Sequence, residues 1–221
     1  LALPFSVLRD VDLVLDPSFS AVKRKAISEI GYGMNSKLMV GFSSKPWRTQ
    51  MSDGGSYSDL AYQSTWDTSR LQPGAAGIIT NFTGAARALV VANGTDAALR
   101  DEFVGQFDKM FPGALAAKNG KVVRAGWPTN PFTKGSYSGY LVGQYTTLAG
   151  AEGERYKNVH FAGEHTSRSA QGFMEGGALT GAIAAVEIAK DLGLDGKIMT
   201  LDAQSQKVWT RAATTAVEER G

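Results

Sequence analysis

The segment Asn158-Val-His-Phe-Ala-Gly-Glu-His-Thr166, followed six residues later by Gly172-Phe-Met-Glu-Gly-Gly177, constrains this chain more than any other stretch. Val159 to Ala162 reads as a short buried strand that ends at Gly163. A helix is predicted over Gly172 to Leu192, with Gly176, Gly177, Ala178, Gly181, Ala182, Ala184 and Ala185 along one side. The start of that helix offers unpaired amide donors and partial positive charge, which suit an anionic or electron-rich group. Its glycines let something flat or bulky lie close, and they serve equally for packing against the chain's own strand. Pattern alone leaves both readings open.

The rest of the chain alternates strands and helices irregularly, which points to α/β or α+β rather than a repeat array. Leu1 to Phe5 is expected as a strand ended by Pro4, and the chain reads as beginning inside a longer protein. Ser18 or Ser20 is placed to cap a helix to about Ile30, stopped by Gly31 and Gly33. Lys37–Phe42, Gly77–Phe82 and Lys121–Trp127 read as strands, and Gln50–Ser58 as a loop. Leu99, Phe103, Phe107 and Met110 give Asp96–Met110 helical spacing, closed by Phe111-Pro-Gly113. A peripheral helix is expected over Ala203–Glu219.

Several function classes drop out. With no cysteine, there is no disulfide, thiolate catalysis or cysteine-ligated metal. His160 and His165 lie too close to one predicted strand for a metal pair, and no carboxylate–histidine spacing supports one, so no metal is expected. The net charge is +2, and the densest basic cluster, Lys23-Arg24-Lys25, reads as a solvated helix face rather than a nucleic-acid patch. No stretch is long and apolar enough to span a membrane.

Four stretches together resemble the flavin-containing monoamine oxidase and L-amino-acid oxidase superfamily, over its C-terminal half. Phe161-Ala-Gly-Glu-His-Thr166 through Gly177 is similar to the family's last FAD motif. Leu3-Pro-Phe-Ser-Val-Leu-Arg9 resembles the strand and turn before the substrate domain. Gly31-Tyr-Gly-Met-Asn-Ser-Lys-Leu-Met39 with Pro46-Trp47 resembles the strand bearing a flavin-facing lysine, and Trp127 with Gly135-Ser-Tyr137 the segment beside the flavin.

The resemblance implies the following roles. Glu164 would bond a hydroxyl of the FAD ribityl or pyrophosphate region, with Gly163 allowing close approach. Gly172, Phe173 and Met174 would begin the helix whose amides face the flavin N1 and C2 carbonyl. Lys37 would reach flavin N5 through a water and assist reaction with oxygen. Trp127 would pack beside the ring, and Tyr137 with Phe173 would flank the substrate amine. Ser136 stands where covalently flavinylated members carry cysteine, so the FAD is expected to be non-covalent.

The implied fold is an α+β substrate domain plus the C-terminal part of an FAD-binding Rossmann-like domain, incomplete without the N-terminal half. Residues 1–8 would be a strand and turn of the FAD domain, 9–150 the substrate-binding portion, 151–195 the last FAD-binding segment and 196–221 the peripheral helix. Gly31-Tyr-Gly-Met-Asn-Ser36 has only two glycines and follows a helix, so it is not the family's dinucleotide motif. The implied partners are an amine or amino acid, oxygen and the N-terminal half of the same enzyme. Arg48, Arg70 and Arg87 are candidates to hold a substrate carboxylate, and Asp53, Asp59 or Asp67 to select a diamine. The alternatives are a non-catalytic scaffold, possible as a homo-oligomer, and a flavin dehydrogenase of the same fold.

Overall fold

A computed structural model of the chain describes residues 1–13 and 18–194. In chain order its elements are α1 (Phe5–Leu8), α2 (Ala21–Glu29), β1 (Asn35–Phe42), α3 (Pro46–Thr49), β2 (Ser56–Tyr57), β3 (Ser64–Asp67), β4 (Gly77–Gly84), α4 (Ala85–Asn93), α5 (Asp96–Met110), α6 (Ala114–Ala117), β5 (Lys118–Gly126), α7 (Gln144–Leu148) and α8 (Met174–Asp191). Short 3-10 turns lie at Trp127–Thr129, Ala151–Gly153 and Glu164–Thr166. The mixed α/β architecture agrees with the sequence. The helix expected over Ala203–Glu219 falls outside the described residues.

The chain divides into two compact units. The larger comprises Pro4–Val14 and Ile27–Thr147, and the smaller Leu1–Leu3, Leu15–Ala26 and the chain from Leu148 onward.

The larger unit is built on an antiparallel sheet of order β2-β3-β4-β1-β5. Strand alternation divides its faces. Leu38, Val40, Phe42 and Ile79 are buried on one face, with Val122 opposite Val40. Lys37, Met39, Trp66, Phe82 and Val123 take the other face. On the buried face, Phe42, Trp47, Tyr62, Phe103, Phe107 and Phe111 interlock at ring separations of 4.7–6.2 Å, mostly edge-on or tilted.

α5 has the bounds that its spacing predicts, because every local signal agrees. Thr95 Oγ1 accepts from Ala98 N, Asp96 sits in the first turn, Lys109 in the last, and Leu99, Phe103 and Phe107 share the buried face. β3 and α4 carry no such signals in the sequence. β3 reads Ser-Thr-Trp-Asp, which is mostly polar. α4 begins directly after β4, with no capping side chain at Gly84 and with Ala85 at φ +51°.

Leu1 to Phe5 is not a strand. Pro4 stands ahead of α1, and its carbonyl accepts from Val7 and Leu8 amides. A fixed φ and a missing N–H suit a helix start as well as a strand end.

In the smaller unit, Val159 to Ala162 is not a strand either; Tyr156 and Val159 make one isolated bridge. The Leu1 N-terminus donates to His160 O at 2.5 Å and Ala162 N donates to Leu1 O at 3.0 Å. These two bonds bracket Phe161 as a single parallel bridge would, too few for a ladder. α8 buries only the narrow stripe Gly176, Thr180 and Ala184. A Cβ on Gly176 would stand 2.2 Å from Ala170 O, so that glycine is required by the chain's own packing. Thr180 Oγ1 lies 3.0 Å from both the amide and the carbonyl of Gly163, which pins the Gly163 turn to the helix.

Candidate functional site

The larger unit brings Lys37, Trp127 and Tyr137 to the neighbourhood of β1. Lys37 pairs across the sheet with Phe82 and Ala125, which places its side chain on the half-open face. Its ammonium lies 5.3 Å from the Trp127 ring centroid and 5.5 Å from that of Trp66. Both distances fall within cation–π range. Among the described residues no carboxylate pairs with Lys37.

Trp127 follows Gly126, where a Cβ would come within 2.9 Å of Ala92, so only glycine lets β5 end this close to α4. The Trp127 carbonyl then accepts from Thr133 Oγ1 at 2.8 Å, closing the turn behind the indole. Tyr137 is set by an antiparallel clasp. Gly33 N donates to Tyr137 O and Ser136 N to Gly33 O, each at 2.8 Å, while Gly139 N donates to Gly31 O at 2.9 Å. A Cβ on Gly31 would stand 2.4 Å from Gly139 O, and one on Gly33 would stand 3.1 Å from the Tyr137 ring. The Gly-Tyr-Gly that ends the α2 region therefore also seats the Tyr137 segment. Tyr137 itself is 44% exposed. Ser136 Oγ donates to Gly33 O at 2.7 Å and lies 2.7 Å from Asn35 Oδ1.

Trp66 is the residue that sequence reading missed. Its signal is faint: one tryptophan in a polar tetrapeptide. The neighbouring Asp67 explains its placement. Burial pushes the Asp67 carboxyl up, but hydrogen bonds from Ser69 and Trp47 outweigh it and hold it below the usual carboxylate range. Trp47 Nε1 donates to Asp67 Oδ2 at 3.0 Å, and Ser69 N and Oγ donate to Oδ1 at 2.8 and 2.6 Å. With Asp67 fixed on the core face, alternation sends Trp66 to the face of Lys37.

The smaller unit holds Gly163, Glu164, Gly172, Phe173 and Met174. Glu164 Oε2 accepts from Gly172 N at 2.6 Å, a charge-assisted bond that closes the loop ahead of α8. Gly163 has φ +136°, and a Cβ there would stand 2.5 Å from the His165 ring. A Cβ on Gly177 would stand 3.8 Å from Glu164 N, and one on Gly181 would meet nothing within 4 Å. Phe173 and Met174 are 70% and 94% exposed, and no side chain caps α8. The helix start thus presents amide donors toward solvent.

Beneath this turn lies a buried polar cluster. Lys23 is 1% exposed, donates to Glu152 O and packs its ammonium 3.5 Å from the Phe161 ring centroid. Burial brings its pKa down to about 7 against attraction from Glu152 and Glu154. Burial likewise lowers His165 to about 4; Glu164 opposes that shift and Lys23 adds to it. His160 is gripped from α8, with Nδ1 2.8 Å from Glu187 and Nε2 3.3 Å from Asp191.

The three arginines considered for a substrate carboxylate, with Asp53 and Asp67 among the acids, are otherwise engaged. Arg48 lies 3.6 Å from Asp67, Arg70 3.6 Å from Asp53, and Arg87 2.5 Å from Glu102. Two clefts of about 390 and 460 Å³ lie in the smaller unit, beside His160 and beside Phe161 and Arg168, and none of the eight predicted site residues lines either. No helix among the described residues is long and apolar enough to cross a membrane.

Comparison with known proteins places the chain in a family. The family model for flavin-containing amine oxidoreductases matches residues 1–189. A putative L-amino-acid oxidase of Bacillus subtilis is 28% identical over 193 residues, covering 84% of this chain and 39% of that protein. Polyamine oxidase 2 of Arabidopsis thaliana is 25% identical, covering 84% and 37%. Among solved structures, the cyclohexylamine oxidase of Brevibacterium oxydans superposes with a TM-score of 0.76 at 21% identity, covering 87% of this chain and 42% of that one. The chain therefore spans about two fifths of the length of these relatives. The chain belongs to the flavin-containing amine oxidoreductase family.

Proposed function

We propose that this chain is the C-terminal portion of an FAD-dependent oxidase of amines or α-amino acids. The observation that carries the reading is the Lys37 ammonium between two indole rings on the half-open sheet face, with no carboxylate partner among the described residues. A cation held this way is available to an electron-rich or anionic group brought from outside the chain.

The donor set of the smaller unit fits a flavin. Glu164, whose Oε2 orders the loop ahead of α8 by accepting from Gly172 N, would accept from a hydroxyl of the FAD chain. The uncapped amides at the start of α8 would face the flavin edge that gains negative charge on reduction. The chemistry that bound FAD would supply is two-electron oxidation of the amine-bearing carbon with oxygen as the final acceptor, the products being hydrogen peroxide and an imine that water hydrolyses.

Each residue's own task is orientation, water exclusion or charge. Tyr137 in the larger unit and the exposed Phe173 ring in the smaller would each offer an aromatic surface suited to a neutral amine. Trp127 would support the ring, and Lys37 Nζ would hold a proton beside charge developing on reduced oxygen. Ser136 is bonded into the Gly33 clasp and offers no thiol, so the FAD would be non-covalent. The binding site for the ADP half of FAD, and a partner surface for the exposed apolar residues Leu179, Ile183 and Ile188 of α8, would come from the N-terminal half of the enzyme.

The test is a peroxide-coupled panel of monoamines, polyamines and amino acids on the complete, flavin-loaded enzyme. Peroxide release with at least one class supports the reading. A yellow, folded enzyme that reduces its flavin with none of them overturns it.

A further inference from the structure

We infer that Trp66 is a positioning residue for Lys37, its indole forming one of two walls that hold the ammonium in place. The role of Lys37 in oxygen chemistry rests on the function proposed above; the hold on its ammonium does not.

The argument begins with a lysine side chain on a half-open sheet face. A solvated lysine there sweeps many rotamers, and no ion pair among the described residues restrains this one. What does restrain it is aromatic: Trp127 at 5.3 Å from one side and Trp66 at 5.5 Å from another. Trp66 is a firm wall rather than an accidental neighbour. Its backbone is registered against Thr80 of β4. Its ring packs against Phe82 at 5.9 Å and 49°, and Phe82 sits opposite Lys37 in the β1–β4 ladder. The next residue, Asp67, is locked by Trp47 and Ser69, so β3 cannot rotate to withdraw the indole. Two indole faces attract the charged form without neutralising it, as a carboxylate would. The ammonium is thereby fixed in place with its hydrogen-bond donors still available.

The experiment uses the full chain after reductive methylation of lysines with ¹³C-formaldehyde, which preserves their charge. Lys37→Met assigns the Lys37 signal, which is expected upfield of the other lysines because ring currents from two indoles shield it. Trp66→Leu should move that signal most of the way back toward the others, whereas Trp66→Phe, which keeps an aromatic face and guards against simple misfolding, should move it less. A Lys37 signal with no upfield displacement, or one that Trp66→Leu leaves in place while Trp127→Leu shifts it, overturns the inference.

The second arm measures flavin reoxidation by oxygen in the assembled enzyme. Trp66→Leu should slow it roughly fivefold, the rate equivalent of about 1 kcal/mol of cation–π attraction, and should add nothing on a Lys37→Met background. An additive Trp66→Leu effect overturns the positioning role. If Lys37→Met itself leaves reoxidation unchanged, the oxidase reading fails, while the displaced Lys37 signal still establishes the indole hold.

Discussion

In the larger unit the space between helices and sheet is filled by rings. Phe42, Trp47, Tyr62, Phe103 and Phe107 are essentially inaccessible, and the one buried carboxylate among them, Asp67, has its acceptors matched by Trp47 and Ser69. In the smaller unit the buried positions include Lys23, Glu152, His160, His165 and Thr180, and α8 leaves Leu179, Ile183 and Ile188 exposed. The larger unit surrounds its ring cluster with buried polar groups that, Asp67 apart, are hydroxyls and amides that do not titrate, whereas the smaller buries a lysine, a glutamate and two histidines. The first arrangement tolerates changes of pH, because most of its buried groups do not titrate. The second depends on groups that can gain or lose protons, and a glycine-rich helix with exposed apolar residues is suited to being covered by further structure.

The largest way to break this contrast is Phe107→Ala. Its ring contacts five neighbours at 4.7–6.2 Å: Phe42, Trp47, Tyr62, Phe103 and Phe111. Its removal should cost the larger unit about 3–5 kcal/mol, read by denaturant unfolding followed through tryptophan fluorescence. A loss no larger than that from an exposed substitution would mean the ring cluster is not the core.

Next comes pH, which should act mainly on the smaller unit. Lys23 falls from the ordinary 10.5 to about 7, so between those values the unfolded chain binds more protons and stability rises with pH. The rise should be on the order of 3 kcal/mol and should vanish in Lys23→Met. His165 falls from 6.5 to about 4, so stability should drop as pH falls through that window. In the larger unit the lowered Asp67 contributes stability that is lost only as pH falls below the ordinary 3.8. Hydrogen exchange across pH, resolved by segment, would check the division. Equal pH sensitivity of α5 and α8 amides would erase it.

A smaller effect sharpens the comparison within one helix. Gly176→Ala meets Ala170 O and should cost about 1–3 kcal/mol by overpacking, while Gly181→Ala meets nothing and should be neutral or slightly stabilising. Thermal melts of the two variants give the answer directly, and matching losses would mean that α8 packs differently.

How much of this the sequence disclosed follows the same contrast. α5 was legible to its bounds because spacing, cap and terminal charges agree. β1, β4 and β5 were legible within a few residues because their apolar runs are bounded by glycine or proline. β3 and α4 were silent, since neither alternation nor a cap marks them and only the sheet beside them makes them regular. Val159 to Ala162 misled, because an apolar run gives no sign of whether a ladder partner is present. The residues proposed for the site drew attention in the sequence where a distinctive chemical group stands, as at Lys37, Trp127, Glu164 and Phe173. Trp66 was not, because its importance comes from the register of β3 on β4, which no local pattern encodes. The glycines show the same limit: Gly31, Gly126 and Gly176 look alike in sequence, yet each meets a different piece of the chain's own backbone or side chains.

The most direct test is rapid-mixing kinetics of Lys37→Met in the complete, flavin-loaded enzyme, with anaerobic reduction by amine and reoxidation by oxygen followed separately. The account predicts reduction within about twofold of the unaltered enzyme and reoxidation slower by on the order of tenfold to a hundredfold, the loss expected when one well-placed charge is withdrawn from a developing anion. Reoxidation at the unaltered rate would contradict it.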